Sequence, residues 1–223
     1  MENLRINIDA QCSVSALLVK PADPLACFVF AHGAGAGMNH PFMGNVASAL
    51  FDRGLATLRY QFPSMEARAK RPDPPAVAQA AVRAAVGAAR QHCPNPMLIA
   101  GGKSFGGRMT SQAQSALPLP NVAGLVFLGF PLHASGKPST ERVAHLFKVT
   151  IPMLFLQGDK DKLAELPLIR TVTEKLGTRA TLHVIGEADH SFHVLRRSGR
   201  TDADVIDEMA DVVVVWLRKQ FKR

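Results

Sequence analysis

The run Gly102-Lys103-Ser104-Phe105-Gly106 sets a serine between glycines two positions to either side, where an apolar stretch, Met97 to Ala100, gives way to a helix-forming one. A strand-to-helix turn this tight strains its apex residue and leaves no room for side chains two positions away, so the Ser104 hydroxyl is expected to project from the turn as a nucleophile. The amide of Phe105 and the new helix's N-terminus would then face a developing oxyanion. A phosphate-binding P-loop on the same residues requires glycine at position 97, and Met97 stands there.

A second glycine-rich stretch, His32-Gly33-Ala34-Gly35-Ala36-Gly37, follows the apolar run Ala26 to Ala31. Small residues let backbone approach a substrate and lend a second N–H to the oxyanion, with Ala34 the candidate donor. A dinucleotide-binding GxGxxG beginning at Gly33 would need glycine where Met38 stands.

A serine hydroxyl attacks only when a base takes its proton, and imidazole titrates in the useful range. Of eight histidines, His190 in Ala188-Asp189-His190-Ser191-Phe192 follows the last candidate strand across a short loop, with His193 its nearest competitor. His32, His40, His92, His133, His145 and His183 suit capping, packing or surface roles. An acid that fixes the imidazole tautomer belongs after the strand Met153 to Gln157, in Gly158-Asp159-Lys160-Asp161. Asp161 is favoured because the third residue past the glycine can fold back toward the histidine loop. Asp159 stays open as the alternative, and is otherwise a turn or capping residue. Phe62, Met65, Phe105, Leu132 and His133 are candidates for lining a substrate pocket, with packing over the sheet edge as the competing role. Little chain separates Phe130 from the next helix, so the pocket is expected to be open and shallow, without a large lid domain, and suited to small or extended acyl groups.

Elements able to position these residues alternate along the chain. Strands are expected at Ser15 to Val19, Ala26 to Ala31, Leu55 to Tyr60, Met97 to Ala100, Val122 to Phe130, Met153 to Gln157 and Ala180 to Ile185, with Leu4 to Ile8 a possible eighth. Helices are expected at Phe42 to Arg53, Pro75 to His92, Phe105 to Ala116, Thr140 to Phe147, Leu163 to Leu176 and Asp202 to Phe221. Asp73, before Pro74 and Pro75, is the expected N-cap of the second of these, and Gly54 stops the first. Val205, Met209, Val212, Val213 and Trp216 form an apolar stripe on the last. The alternation implies an α/β architecture, a mostly parallel sheet of about seven strands covered on both faces.

The 223 residues are 47% hydrophobic and 20% charged, which excludes a disordered chain and suits one domain, residues 1–223. Cys12, Cys27 and Cys93 cannot all pair within one chain and form no zinc-binding set. With no signal-peptide pattern at Met1 to Asp9 and no apolar run near ~18 residues, a cytoplasmic protein without a membrane span is expected. The net charge of +8 is spread over Arg68 to Arg71, Arg196 to Arg200 and the C-terminus, with one Trp and one Tyr for base stacking, so no nucleic-acid partner is expected. Oligomeric state is not legible.

The strings HGAGAGMNHPFM, RYQFPSMEARAKRPDPP, GGKSFGGRM, FPLHASGKP, LQGDKD and ADHSF resemble the branch of α/β-hydrolases that includes testis-expressed hydrolase-like proteins and a subunit of the non-specific lethal chromatin complex. The chain is also broadly similar to dienelactone-hydrolase-like proteins. The resemblance covers about Phe28 to Phe192 and implies the α/β-hydrolase fold with a triad of Ser104, Asp161 and His190. Dienelactone hydrolases carry cysteine where this chain has Ser104, so their substrate is not carried over. The expected activity is ester or thioester hydrolysis of a small acyl substrate through an acyl-enzyme, with no metal and no organic cofactor. The alternative is a non-catalytic interaction protein that keeps the scaffold.

Overall fold

The computed structural model describes residues 1–221, so the last two of the C-terminal basic residues, Lys222 and Arg223, lie outside the described residues. Eight strands form one sheet: β1 (Glu2–Asn7), β2 (Ser13–Val19), β3 (Ala26–Ala31), β4 (Ala56–Tyr60), β5 (Met97–Lys103), β6 (Val122–Leu128), β7 (Met153–Gly158) and β8 (Ala180–Ile185). Their order is β1-β2-β4-β3-β5-β6-β7-β8. The β1–β2 and β2–β4 pairs are antiparallel and the rest parallel. The possible strand at the N-terminus is thus real, and the sheet has eight strands rather than seven. Strand β3 is buried at every residue, as a parallel strand covered on both faces must be.

Helices α1 (Pro41–Asp52), α2 (Pro63–Glu66), α3 (Pro75–His92), α4 (Phe105–Ala116), α5 (Leu166–Leu176) and α6 (Asp202–Phe221) cover the sheet. One core packs alternate strand residues such as Val29, Leu58 and Phe127 against α3, α4 and α5. The other packs Phe28, Phe30, Val126 and Leu154 against α1 and α6, where Val205, Met209, Val213 and Trp216 are buried while Val212 is partly exposed. No described helix is long and apolar enough to cross a membrane.

Three local expectations are corrected. The segment from Thr140 folds as a 3₁₀ helix, Glu141–Lys148, and not as an α-helix. Its buried residues Val143, Leu146 and then Val149 recur every third position, the repeat that a 3₁₀ helix stacks on one face. Asp73 does not cap α3, whose N-cap is Pro74. With two prolines holding the chain extended, its carboxylate turns back to accept the Ser64 amide at 2.9 Å, near the start of α2. Helix α5 begins at Leu166 instead of Leu163, because the Leu163 carbonyl is spent on the amides of Leu132 (2.9 Å) and His133 (3.2 Å).

Candidate active site

The chemistry-bearing residues come from loops at the C-terminal ends of β3, β5, β7 and β8, the edge at which open α/β sheets bind ligands. Ser104 separates β5 from α4 with φ 49° and ψ −112°, a left-handed conformation that a side-chain-bearing residue adopts only where its surroundings impose it. The flanking glycines supply that constraint. A Cβ on Gly102 would fall 2.2 Å from the Ala31 carbonyl oxygen, and one on Gly106 would fall 2.6 Å from it, so β3 seats against both sides of the turn.

The structure brings Ser104, His190 and Asp161 into one hydrogen-bonded chain. Ser104 Oγ lies 2.8 Å from His190 Nε2, and His190 Nδ1 lies 2.7 Å from Asp161 Oδ2. The Asp161 side chain is fully buried while the imidazole keeps a quarter of its surface exposed. The carboxylate accepts further bonds from the Leu163 amide (2.7 Å) and from Gln157 Nε2. Asp159 makes no bond to His190; its carboxylate lies 3.7 Å from Lys160 Nζ and it sits in the turn after β7. The histidine loop reaches its place because Gly158 lets it cross the end of β7: a Cβ there would meet the Ala188 carbonyl oxygen at 2.2 Å. His193 points away, paired with Asp202 at 2.9 Å, which holds its imidazole pKa above the ordinary value.

Ala34 lies on the loop after β3, and Phe105 is the first residue of α4, where amides have no acceptor within the helix. A Cβ on Gly33 would be 3.9 Å from Ser104 Cβ, which measures how closely the loop approaches the turn. The loop is pinned at both ends. His32 is buried, with Nδ1 2.7 Å from the Gly33 carbonyl and Nε2 accepting the Phe62 amide at 3.0 Å, and burial pushes its pKa below the ordinary value. At the other end, Gln61 Oε1 accepts the Met38 amide (2.9 Å) and the buried Arg59 Nη1 donates to the Met38 carbonyl (3.1 Å).

Ser104, His190 and Ala34 open onto a cleft of about 350 Å³, walled by Phe42 and Met43 from α1 and by Leu163. The pocket candidates lie elsewhere. Phe62 is buried in an aromatic cluster, its ring 5.3 Å from Phe105 and 4.9 Å from His32. Leu132 and His133 are buried under the segment that precedes α5, and Met65 packs toward Gly37. The cleft wall from α1 was missed because its residues look like an ordinary apolar helix face. Gln157 carried a signal, an amide within the apolar strand Met153–Gly158: its Oε1 accepts the Phe130 amide at 3.0 Å while its Nε2 holds Asp161.

Residues 24–218 match the alpha/beta hydrolase domain family. Among solved structures, the chain is similar to an alpha-beta serine hydrolase homologue from Coxiella burnetii, with 20% identity over 96% of this chain and 95% of that one and a TM-score of 0.76. It is similar to a dienelactone hydrolase from Anabaena variabilis, with 21% identity over 98% and 97% and a TM-score of 0.77. A serine hydrolase without a lid from Xanthomonas campestris shares 21% identity over 96% and 94%, with a TM-score of 0.73.

Proposed function

The chain belongs to the alpha/beta hydrolase domain family, and from that premise we propose that it is a serine hydrolase cleaving a carboxylic ester or thioester through an acyl-enzyme on Ser104. The observation that carries the proposal is the continuous chain from Ser104 Oγ through both nitrogens of His190 to the buried carboxylate of Asp161. In this scheme His190 Nε2 takes the hydroxyl proton as Ser104 attacks the carbonyl, then returns it to the leaving group. Water repeats the cycle on the acyl-enzyme. Asp161 fixes the tautomer with the Nδ1 proton directed at it and offsets the charge on the imidazolium. The amides of Ala34 and Phe105 receive the oxyanion. Cleft size favours small acyl groups.

The proposal extends to a single domain over residues 1–223, working in the cytoplasm on a small acyl substrate, with no cofactor, metal or nucleic acid in the scheme. Within the family we place the chain near the testis-expressed and non-specific-lethal-complex branch, on the six strings given above. Turnover of p-nitrophenyl acetate by wild type and Ser104→Ala tests the chemistry. The variant is expected to lose about a thousandfold or more in kcat; equal rates would sink the proposal. A fluorophosphonate probe separates the interaction-protein alternative, since labelling at Ser104 requires an activated serine.

A further inference from the structure

Lys103, beside the nucleophile, has no task in the scheme above, yet its side chain is confined at its stem and held at its tip. The stem passes under the glycine-rich loop, where a Cβ on Gly33 would lie 3.6 Å from Lys103 Cγ. Its Nζ ends 5.2 Å from the ring centre of Phe192 and 6.0 Å from that of Phe42, two rings stacked 5.8 Å apart. There it donates a hydrogen bond to the main-chain carbonyl of His190. Gly129, after β6, leaves room for it: a Cβ there would sit 3.0 Å from Nζ.

Resting on the proposed Ser104 chemistry, we infer that Lys103 is a positioning residue whose ammonium ties the loop bearing the base to the turn bearing the nucleophile. Residues 104 and 190 lie 86 positions apart and follow different strands, β5 and β8. The Ser104–His190 hydrogen bond joins them directly, but that bond is consumed when Ser104 is acylated. The Lys103 link survives acylation and keeps Nε2 over the acyl-enzyme to activate the hydrolytic water. A charged donor on a carbonyl, with aromatic faces beside it, makes a stronger tie than a neutral amine would.

The groups facing the ammonium give the tie a pH dependence. Burial lowers the Lys103 pKa to about 8, against the opposing pull of Asp161 from the loop after β7 and Asp189 from the loop after β8. His190 shares that second loop, while α1 contributes the uncharged Phe42 and the end of β6 contributes Gly129. Above pH 8 the amine loses its charge and the tie weakens, so kcat should decline. This decline is not unfolding. A lysine whose folded pKa is depressed holds fewer protons folded than unfolded between pH 8 and about 10.5, so its contribution to stability rises with pH in that window.

The test compares wild type, Lys103→Met and Lys103→Arg as full chains with p-nitrophenyl acetate from pH 6 to 10, alongside thermal melts and the ¹H–¹⁵N imidazole resonances of His190. For Lys103→Met we expect kcat at pH 7 lower by at least tenfold through slower deacylation, KM within threefold, no alkaline decline near pH 8 and broadened His190 resonances. Lys103→Arg should restore kcat to within threefold and carry the decline past pH 9.5. A folded Lys103→Met with wild-type kcat and an unchanged decline overturns the inference. If Lys103→Met does not fold, Phe192→Leu, which removes one ring beside the ammonium, must lower kcat in the same sense; a wild-type rate there overturns it too. Absence of Ser104-dependent turnover in wild type would remove the hydrolase reading itself. The resonances would then decide alone, and unchanged His190 signals in Lys103→Met would overturn the tie.

Discussion

Two aspartates two positions apart are chemically equivalent in sequence and unlike in the fold. Asp161 is buried with its oxygens facing His190, Gln157 and the Leu163 amide, whereas the bonds of Asp159 are local to its turn. Asp161→Asn is therefore expected to leave the imidazole in the wrong tautomer and lower kcat by about 10³ to 10⁴. Asp159→Asn should stay within about threefold, because Asp159 makes no bond to His190 and its one charged partner, Lys160 at 3.7 Å, is an exposed side chain whose pairing contributes little. Parallel kcat measurements check the pair, and an equal loss in both would show that the acid had been misassigned. Ser104, His190 and the Asp159/Asp161 choice were legible because their spacing to glycines and strand ends is local. Gln157, Arg59 and Lys103 bond residues 27, 21 and 87 positions away, and those partners exist only once the sheet has assembled. The expected pocket residues Phe62, Leu132 and His133 stood at strand ends too, but apolar side chains there were drawn into the core.

Among the elements, strands and long helices were placed within a few residues, since each carries its own period and caps. The 3₁₀ helix was readable in principle from its three-residue repeat, but eight residues are too few to separate that period from 3.6. It matters because it binds α4 through His145, whose Nε2 lies 2.8 Å from Ser111 Oγ. Burial, reinforced by the nearby Arg108 charge, lowers the His145 pKa to about 4, and burial likewise lowers that of His32. Both rings are neutral folded and take up protons more readily when the chain unfolds. Their contribution to stability is therefore complete above pH 6.5 and is lost as pH falls, for His145 until about pH 4. Allowing for water's access to a partly exposed ring, His145 accounts for about 1 kcal/mol at pH 5, or roughly 2–4 °C in Tm. Thermal melts from pH 8 to 4.5 check this. His145→Gln should flatten the acid slope, and an unchanged slope would reject the assignment.

At the scale of the whole molecule, the α/β architecture was the most legible feature, because alternating strand and helix patterns admit few arrangements. The order in which strands join the sheet is invisible in such patterns, and that order has a consequence in time. Ser104 hangs from β5, held between β3 and β6, while His190 hangs from β8, the last strand of the sheet, which pairs with β7 alone. Margins of a sheet fray at a lower free energy than its interior. On the proposed chemistry, warming should then detach His190 from an intact Ser104 turn, and turnover should cease while most of the chain is still folded. Esterase half-lives measured below the melting temperature, beside hydrogen exchange, should show inactivation keeping pace with amides of Val184 to Phe192 and outrunning those of Leu98 to Gly102. Coincident loss of activity and of β5 protection would mean instead that the molecule melts as one cooperative unit.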